Sequence, residues 1–239
     1  MKNPCIVTYF MGNILDKTPE MQKKVVDKFN KSKIPFYQVK GMPSHAQFID
    51  YFWTVNGAGP EYMKESGVKQ ELDHDVVLIL DIDCIPLSEK AIEYYIEQAS
   101  NGKVIGNVQR SNHIKNDQHL FAAPSAIALS KETYINIGKP PALETERSDV
   151  AEEYTWAAEA KNVPVELILP VSFDKAPHKY GWEEDQRPFW ALKDDMPVYG
   201  IGTTFGNQEF GDMYYHNFQI AHPGNQEMFW ARCEKALNA

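Results

Sequence analysis

The amino-acid sequence predicts an α/β protein: one domain built on a central, mostly parallel mixed sheet with helices on its flanks. Three observations carry this. Over about the first 100 residues, strand-like segments alternate with segments of helical periodicity, the order that βαβ units produce. The run "VVLIL" at 76–80 is apolar without interruption, as suits a central strand covered on both faces. Across all 239 residues no linker, repeat or low-complexity stretch divides the chain, and the length suits one large domain.

The first strand is "CIVTYF". Thr18-Pro19-Glu20 then starts a helix, with Thr as cap and Pro at the first helical position, and Met21, Val25, Val26 and Phe29 form its apolar face. "IPFYQV" is the second strand. Ser44 and Gln47 have the spacing of a capping box and open the helix "HAQFIDYFWTV", which stops at Asn56-Gly57-Ala58-Gly59-Pro60. A short helix near Glu61 to Glu65 leads into "DVVLILDID", and Ser88 caps "EKAIEYYIEQAS".

The second half has another character. "KVIGNVQ" and "LFAAPSAIALS" read as strands around the polar stretch "RSNHIKNDQH", and a short helix from Lys131 ends at Gly138. Asp149 and Glu152 form a box-like cap for "VAEEYTWAAEAKN", followed by the strand "VPVELILP". Residues 171–212 are rich in Gly, Pro, Trp and charge without a clear period, which predicts long functional loops. The strand-like "MYYHNFQIA" and a helix capped by Asn225 close the chain.

Composition narrows the function. A formal net charge of −9 without any basic run argues against a nucleic-acid surface or a polybasic membrane anchor. No stretch approaches the ~20 apolar residues of a membrane span, and "MKNPCIVTYF" turns into a strand where a signal peptide would stay apolar, so a cytoplasmic location is expected. Cys5, Cys84 and Cys233 are odd in number and far apart, which suits reduced, partly buried thiols.

The chemistry concentrates at Asp81-Ile82-Asp83, where the central strand ends. Side chains alternate along a strand, so the two carboxylates are expected on one side and Ile82 on the other. Two neighbouring carboxylates repel unless a cation or hydrogen-bond donors hold them, and oxygen ligands suit Mg²⁺ or Mn²⁺. Ligands of open α/β sheets sit beyond the carboxyl ends of the strands, where this pair falls. The plainer alternative is a solvated strand end. The apolar run before the pair, which marks a central strand, weighs against it.

An apolar strand running into Asp-x-Asp, in "LILDIDCIPL", preceded by a strand–helix–strand half and followed by a mixed half, resembles the GT-A glycosyltransferases that use nucleotide sugars. "GNVQRSNHIKNDQHLFAAPSAIALS" is similar to the segment after that motif in small bacterial and phage glycosyltransferase-like proteins. The resemblance implies a single Rossmann-like GT-A domain over 1–239, with residues up to about 100 binding the nucleotide sugar and about 101–239 binding the acceptor and supplying a C-terminal metal ligand. It implies a UDP-sugar donor, Mn²⁺ or Mg²⁺, and transfer to a hydroxyl acceptor, carbohydrate or other.

On that resemblance Asp83 is the principal metal ligand, Asp81 binds the metal or the ribose, and Ile82 lies against the nucleotide. Thr8, Tyr9 and Phe10 match the place of the base and ribose, where either aromatic would stack on uracil or simply fill the core. A C-terminal histidine ligand is implied as well: "MYYHNFQIAHPG" offers His216, preferred for its place after an aromatic pair, and His222. Asp149, with Glu152 and Glu153 after it, falls where inverting members carry a general base, and the same residues read equally as a helix cap. Inversion and retention are not separated. Arg110, His113 and His119 would face the substrates, and Trp182 and Trp190 would offer sugar platforms or loop anchors.

Three rivals stand beside this: a nucleotide-sugar hydrolase, a nucleotidyltransferase, and a non-catalytic module binding sugar nucleotide or glycan. A nucleotidyltransferase normally shows a Gly-rich basic loop after the first strand, whereas "MGNILDKTPE" has one glycine and one lysine.

Overall fold

In the computed structural model, residues 3–41, 44–111, 119–175, 192 and 199–239 are described, and the N-terminal half follows the expected alternation. It runs β1 (Pro4–Phe10), α1 (Lys17–Phe29), β2 (Phe36–Lys40), α2 (His45–Val55), a 3₁₀ turn (Glu61–Ser66), β3 (Val76–Asp81), β4 (Cys84–Pro86) and α3 (Glu89–Ser100). β1 lies parallel to β2 on one side and to β3 on the other, with Tyr9 beside Asp81. Alternation along these strands makes two cores. Cys5, Val7, Val77 and Ile79 pack with Phe48, Ile49, Phe52 and Trp53 of α2 on one face. Ile6, Val76, Leu78 and Leu80 pack with Val26 of α1 and Ile92 and Tyr95 of α3 on the other. A strand buried on both faces has no polar position to spare, which explains the unbroken "VVLIL".

The second half runs β5 (Val104–Arg110), β6 (Leu120–Ser130), α4 (Lys131–Asn136), α5 (Glu152–Ala160), β7 (Val165–Lys175), β8 (Ile201–Asn207), β9 (Gly211–His216) and α6 (Asn225–Asn238). The strands form one mixed sheet in the order β2-β1-β3-β6-β5-β7-β8-β9-β4. Its parallel pairings are β1–β2, β1–β3 and β5–β7, and the others are antiparallel. The mostly parallel character expected from the sequence therefore belongs to the N-terminal βαβαβ segment, while adjacent antiparallel strands dominate the rest. β3 and β4 are separated only by Ile82 and Asp83, yet β4 is the last strand in the order. The sheet must curl until its far edge returns beside the end of β3.

Several element boundaries differ from the sequence expectations. The segment 171–212, read as loops, contains the end of β7, all of β8 and the start of β9. Glycines hide this strand pair: a Cβ on Gly206 would lie 2.1 Å from the Gly211 carbonyl oxygen, so the two strands approach over a missing side chain. Helix α1 starts at Lys17, and Thr18 is not its cap. The Thr18 hydroxyl instead donates to Gln226 (2.9 Å) and accepts from the Trp230 indole (2.9 Å), tying α1 to α6. Asn225 opens α6 but donates to the Gln219 carbonyl (2.9 Å) instead of capping. Ser88 has the extended backbone of a cap, and its hydroxyl makes no capping bond. Ser44 does cap α2, accepting from the Gln47 N–H at 3.2 Å. All three cysteines are buried and free. Among the described residues no helix is long and apolar enough to cross a membrane.

Candidate metal centre

β3 ends at Asp81, and Ile82-Asp83 is a turn into β4, so the turn and not strand alternation brings the two carboxylates together. The turn is braced from below. Gln22, fully buried on α1, donates through Nε2 to the carbonyls of Asp81 (2.6 Å) and Cys84 (3.0 Å), and the Asn217 N–H donates to the Asp83 carbonyl (3.0 Å). Ile82 packs its side chain among Phe10, Ile14 and Ile220. Antiparallel pairing of β4 with β9 sets His216 opposite Cys84, at the mouth of the same turn.

Asp81, Asp83 and His216 each offer a ligand atom, and these atoms lie within 4.8 Å of one another. His216 Nε2 is 3.0 Å from Asp83 Oδ1 and 3.5 Å from Asp81 Oδ2. Asp83 and His216 are buried, and the Asp81 side chain is 25% exposed. The ring's other nitrogen, Nδ1, is buried and has no hydrogen-bond partner among the described residues, so the two carboxylates and the Phe218 ring, with centroids 3.9 Å apart, orient the imidazole. His45 on α2 brings its Nδ1 to 3.0 Å from Asp81 Oδ1.

The electrostatics follow from this crowding. Burial pushes the His216 imidazole toward the neutral form, but the Asp83 and Asp81 carboxylates outweigh it and raise its pKa to about 9. Burial likewise works to raise Asp81, and His45 and then His216 outweigh it, holding the carboxyl below its ordinary value. At neutral pH a protonated His216 thus offsets one of the two carboxylate charges and leaves the other uncompensated within the cluster. Two oxygen donors and one imidazole nitrogen, crowded and negative without a cation, are a donor set that fits a divalent ion such as Mg²⁺ or Mn²⁺.

The centre opens into a cleft of about 810 Å³ beyond the carboxyl ends of β1 and β3. Tyr9, Phe10 and Ile82 line one part of it, Leu143, Glu144 and Val150 another, and Phe218 to Ala221 a third. Tyr9 is 5% exposed and stacks on Phe48 with ring centroids 5.3 Å apart, so its place as a core aromatic and as a cleft wall coincide. Thr8 does not reach the cleft lining: it is fully buried, and its hydroxyl donates to the Leu80 carbonyl at 2.6 Å.

Asp149 and Glu152 are not among the lining residues. Glu152 is fully buried and accepts from the Ser111 hydroxyl (2.8 Å) and the Asp149 N–H (2.8 Å), with His119 Nδ1 at 2.6 Å from its other oxygen. The box-like contact between positions 149 and 152 therefore exists, although α5 begins only at Glu152, after Ala151 in a left-handed conformation (φ 60°). His119 stacks on Trp156 (centroids 3.9 Å apart), and Glu153 pairs with Arg147 (2.7 Å). Arg110 is buried at the end of β5, and His222 lies in the turn before α6, outside the lining. His113, Trp182 and Trp190 lie outside the described residues.

Sequence reasoning missed Gln22, His45, Gln109 and Glu144. The last two line the cleft from β5 and from the segment before α5. For His45 a signal existed: it follows the Ser44 cap, and a helix starting after β2 begins at the sheet's carboxyl edge.

No family model matches the chain, and no curated protein sequence matches it. Among solved structures the chain is similar to an active-site mutant of LgtC (TM-score 0.41, 11% identity, 98% of this chain and 96% of that one). It is similar to a mutant Drosophila beta-1,4-galactosyltransferase 7 in complex with manganese, UDP-Gal and xylobiose (TM-score 0.39, 11% identity, 68% of this chain and 64% of that one). It is also similar to a glycosyltransferase involved in glycosylation of the major capsid of PBCV-1 (TM-score 0.36, 12% identity, 69% of this chain and 80% of that one). At these scores the likenesses carry no argument about chemistry, which rests on this chain's own residues.

Proposed function

We propose that the chain is a metal-dependent glycosyltransferase that takes a sugar from a nucleotide-sugar donor, a UDP-sugar, and passes it to a hydroxyl acceptor. The observation that carries this is the convergence of Asp81, Asp83 and His216 at the floor of a cleft large enough for a nucleotide sugar. These three residues would hold Mn²⁺ or Mg²⁺. The ion would supply Lewis-acid neutralisation of charge on the departing nucleoside diphosphate.

The remaining roles belong to the chain itself. Tyr9 and Phe10 flank the base and ribose, and Ile82 fixes the turn by packing against Phe10. Thr8 acts from behind, holding β1 to β3 through Leu80. Asp149 and Glu152 serve the acceptor side by fixing the backbone that carries Val150 into the cleft, a positioning role and not proton transfer. The N-terminal part to about residue 100 thus handles the donor and the part after it the acceptor, within one domain.

Incubating the protein with a panel of UDP-sugars and Mn²⁺, and assaying released UDP, tests this. Metal-dependent release supports an enzyme, and release that acceptors do not stimulate points to a hydrolase. Binding of the nucleotide sugars without any release would leave a binding module and overturn the proposal.

A further inference from the structure

Helix α2 touches three parts of the cleft at once. Phe48 stacks on Tyr9, Asp50 accepts from the Ala142 N–H (2.8 Å) beside the Leu143–Glu144 wall, and His45, at the helix start, meets Asp81. The Asp81 carboxylate has two oxygens, and they are divided: Oδ1 lies 3.0 Å from His45 Nδ1, and Oδ2 lies 3.5 Å from His216 Nε2. Nδ1 must carry a hydrogen to donate to a carboxylate. His45 Nε2 is buried and has no hydrogen-bond partner among the described residues, so the polar contact that anchors the ring is the one to Asp81. The imidazole packs in turn against Tyr9, whose ring lies nearly parallel to it (18°) with centroids 6.1 Å apart, and the Ser44 cap fixes the helix start that carries it.

We infer that His45 is a positioning residue for Asp81: by holding Oδ1, it turns Oδ2 toward His216 and fixes the donor set for the ion. This rests on the metal-site reading above. Partners that orient a metal-binding carboxylate or imidazole typically change metal affinity by about 10–100-fold when removed. Asparagine carries its NH₂ as far from Cβ as histidine carries Nδ1, and glutamine carries its NH₂ one bond further, so the two amides separate the hydrogen bond from bulk.

The test is calorimetric titration of the full chain with Mn²⁺ alone, alongside thermal melts. H45A and H45Q should bind about 10–100-fold more weakly than the parent while H45N keeps the parent affinity. If H45A does not fold, the contrast of H45N with H45Q decides. Equal affinity in H45A and the parent, or an H45N loss as large as that of H45Q with matching melts, overturns the inference. Failure of the parent protein to bind Mn²⁺ overturns the metal-site reading instead. A readout free of metal is the ring ¹⁵N shifts of His45, which should report a proton held on Nδ1 in the parent and lose that preference in D81A, where position 81 offers no acceptor; an unchanged pattern in D81A refutes the contact.

Discussion

His216 binds a proton in the place where it would bind a metal, and the competition between them is measurable. The two carboxylates raise its pKa to about 9 against the opposing effect of burial. At pH 7 only about 1% of the imidazole is then neutral, so apparent Mn²⁺ affinity should sit about a hundredfold below its high-pH limit, since each pKa unit is a factor of ten. Between pH 6 and 8 the affinity should rise about tenfold per pH unit, with about one proton released per ion bound. Titration calorimetry in two buffers of different ionisation enthalpy counts that proton directly. H216Q should bind more weakly and release none. An affinity that is flat from pH 6 to 8, or binding without proton release, refutes the assignment of His216 as a ligand. The metal-free protein gives the companion effect. A pKa raised on folding adds stability that is fully present below about 6.5 and lost as pH rises through about 9, of the order of 3 kcal/mol.

Two further outcomes test the supporting structure. Burial raises Asp50 to a pKa of about 6 despite the hydrogen bonds from Tyr62 and the Ala142 and Leu143 amides. Its protonated form is therefore favoured in the fold, and the stability this adds is present below the unfolded value and lost as pH rises through about 6. The difference in unfolding free energy between D50N and the parent should shift in favour of D50N by about 2–3 kcal/mol from pH 4 to 7, and denaturant melts showing no shift would remove Asp50 from the account. Gly206→Ala forces a Cβ against the Gly211 carbonyl in the strand pair that carries His216. A loss of about 1–3 kcal/mol in stability together with weaker Mn²⁺ binding is expected, and an unchanged melt would mean the strands can separate at no cost.

Much of the donor half was legible because its signals are local. An unbroken apolar strand, two helical periods and Asp-x-Asp are all read within a dozen residues, and each found its place in β3, α1, α2 and the turn at Asp81–Asp83, although of the two expected caps only Ser44 caps its helix. His216 was legible as a type of residue at the end of an aromatic strand. Its partners were not, because β4 and β9 pair only when the whole sheet curls. β8 escaped because "IGTTFGN" offers Gly and Thr where a period-2 apolar pattern was sought, and its burial comes from neighbours on the curled sheet. Glu152 shows the limit from another side. Its spacing from Asp149 correctly marked a backbone contact, but spacing alone does not say whether a carboxylate faces solvent or is consumed by Ser111 and His119. His45 and Gln22 act at a distance of 36 and 59 residues from Asp81, where no sequence pattern links them.

The most direct measurement is UDP binding by calorimetry with and without Mn²⁺, in the parent chain and in Asp83→Ala. Asp83 is 4% exposed and central to the three-residue cluster, so its loss should abolish the metal-dependent part of the affinity while the melt stays cooperative. UDP binding that needs Mn²⁺ in the parent and loses that dependence in D83A is the expected result; the same affinity in both chains, with and without the ion, contradicts a metal-dependent nucleotide-sugar site.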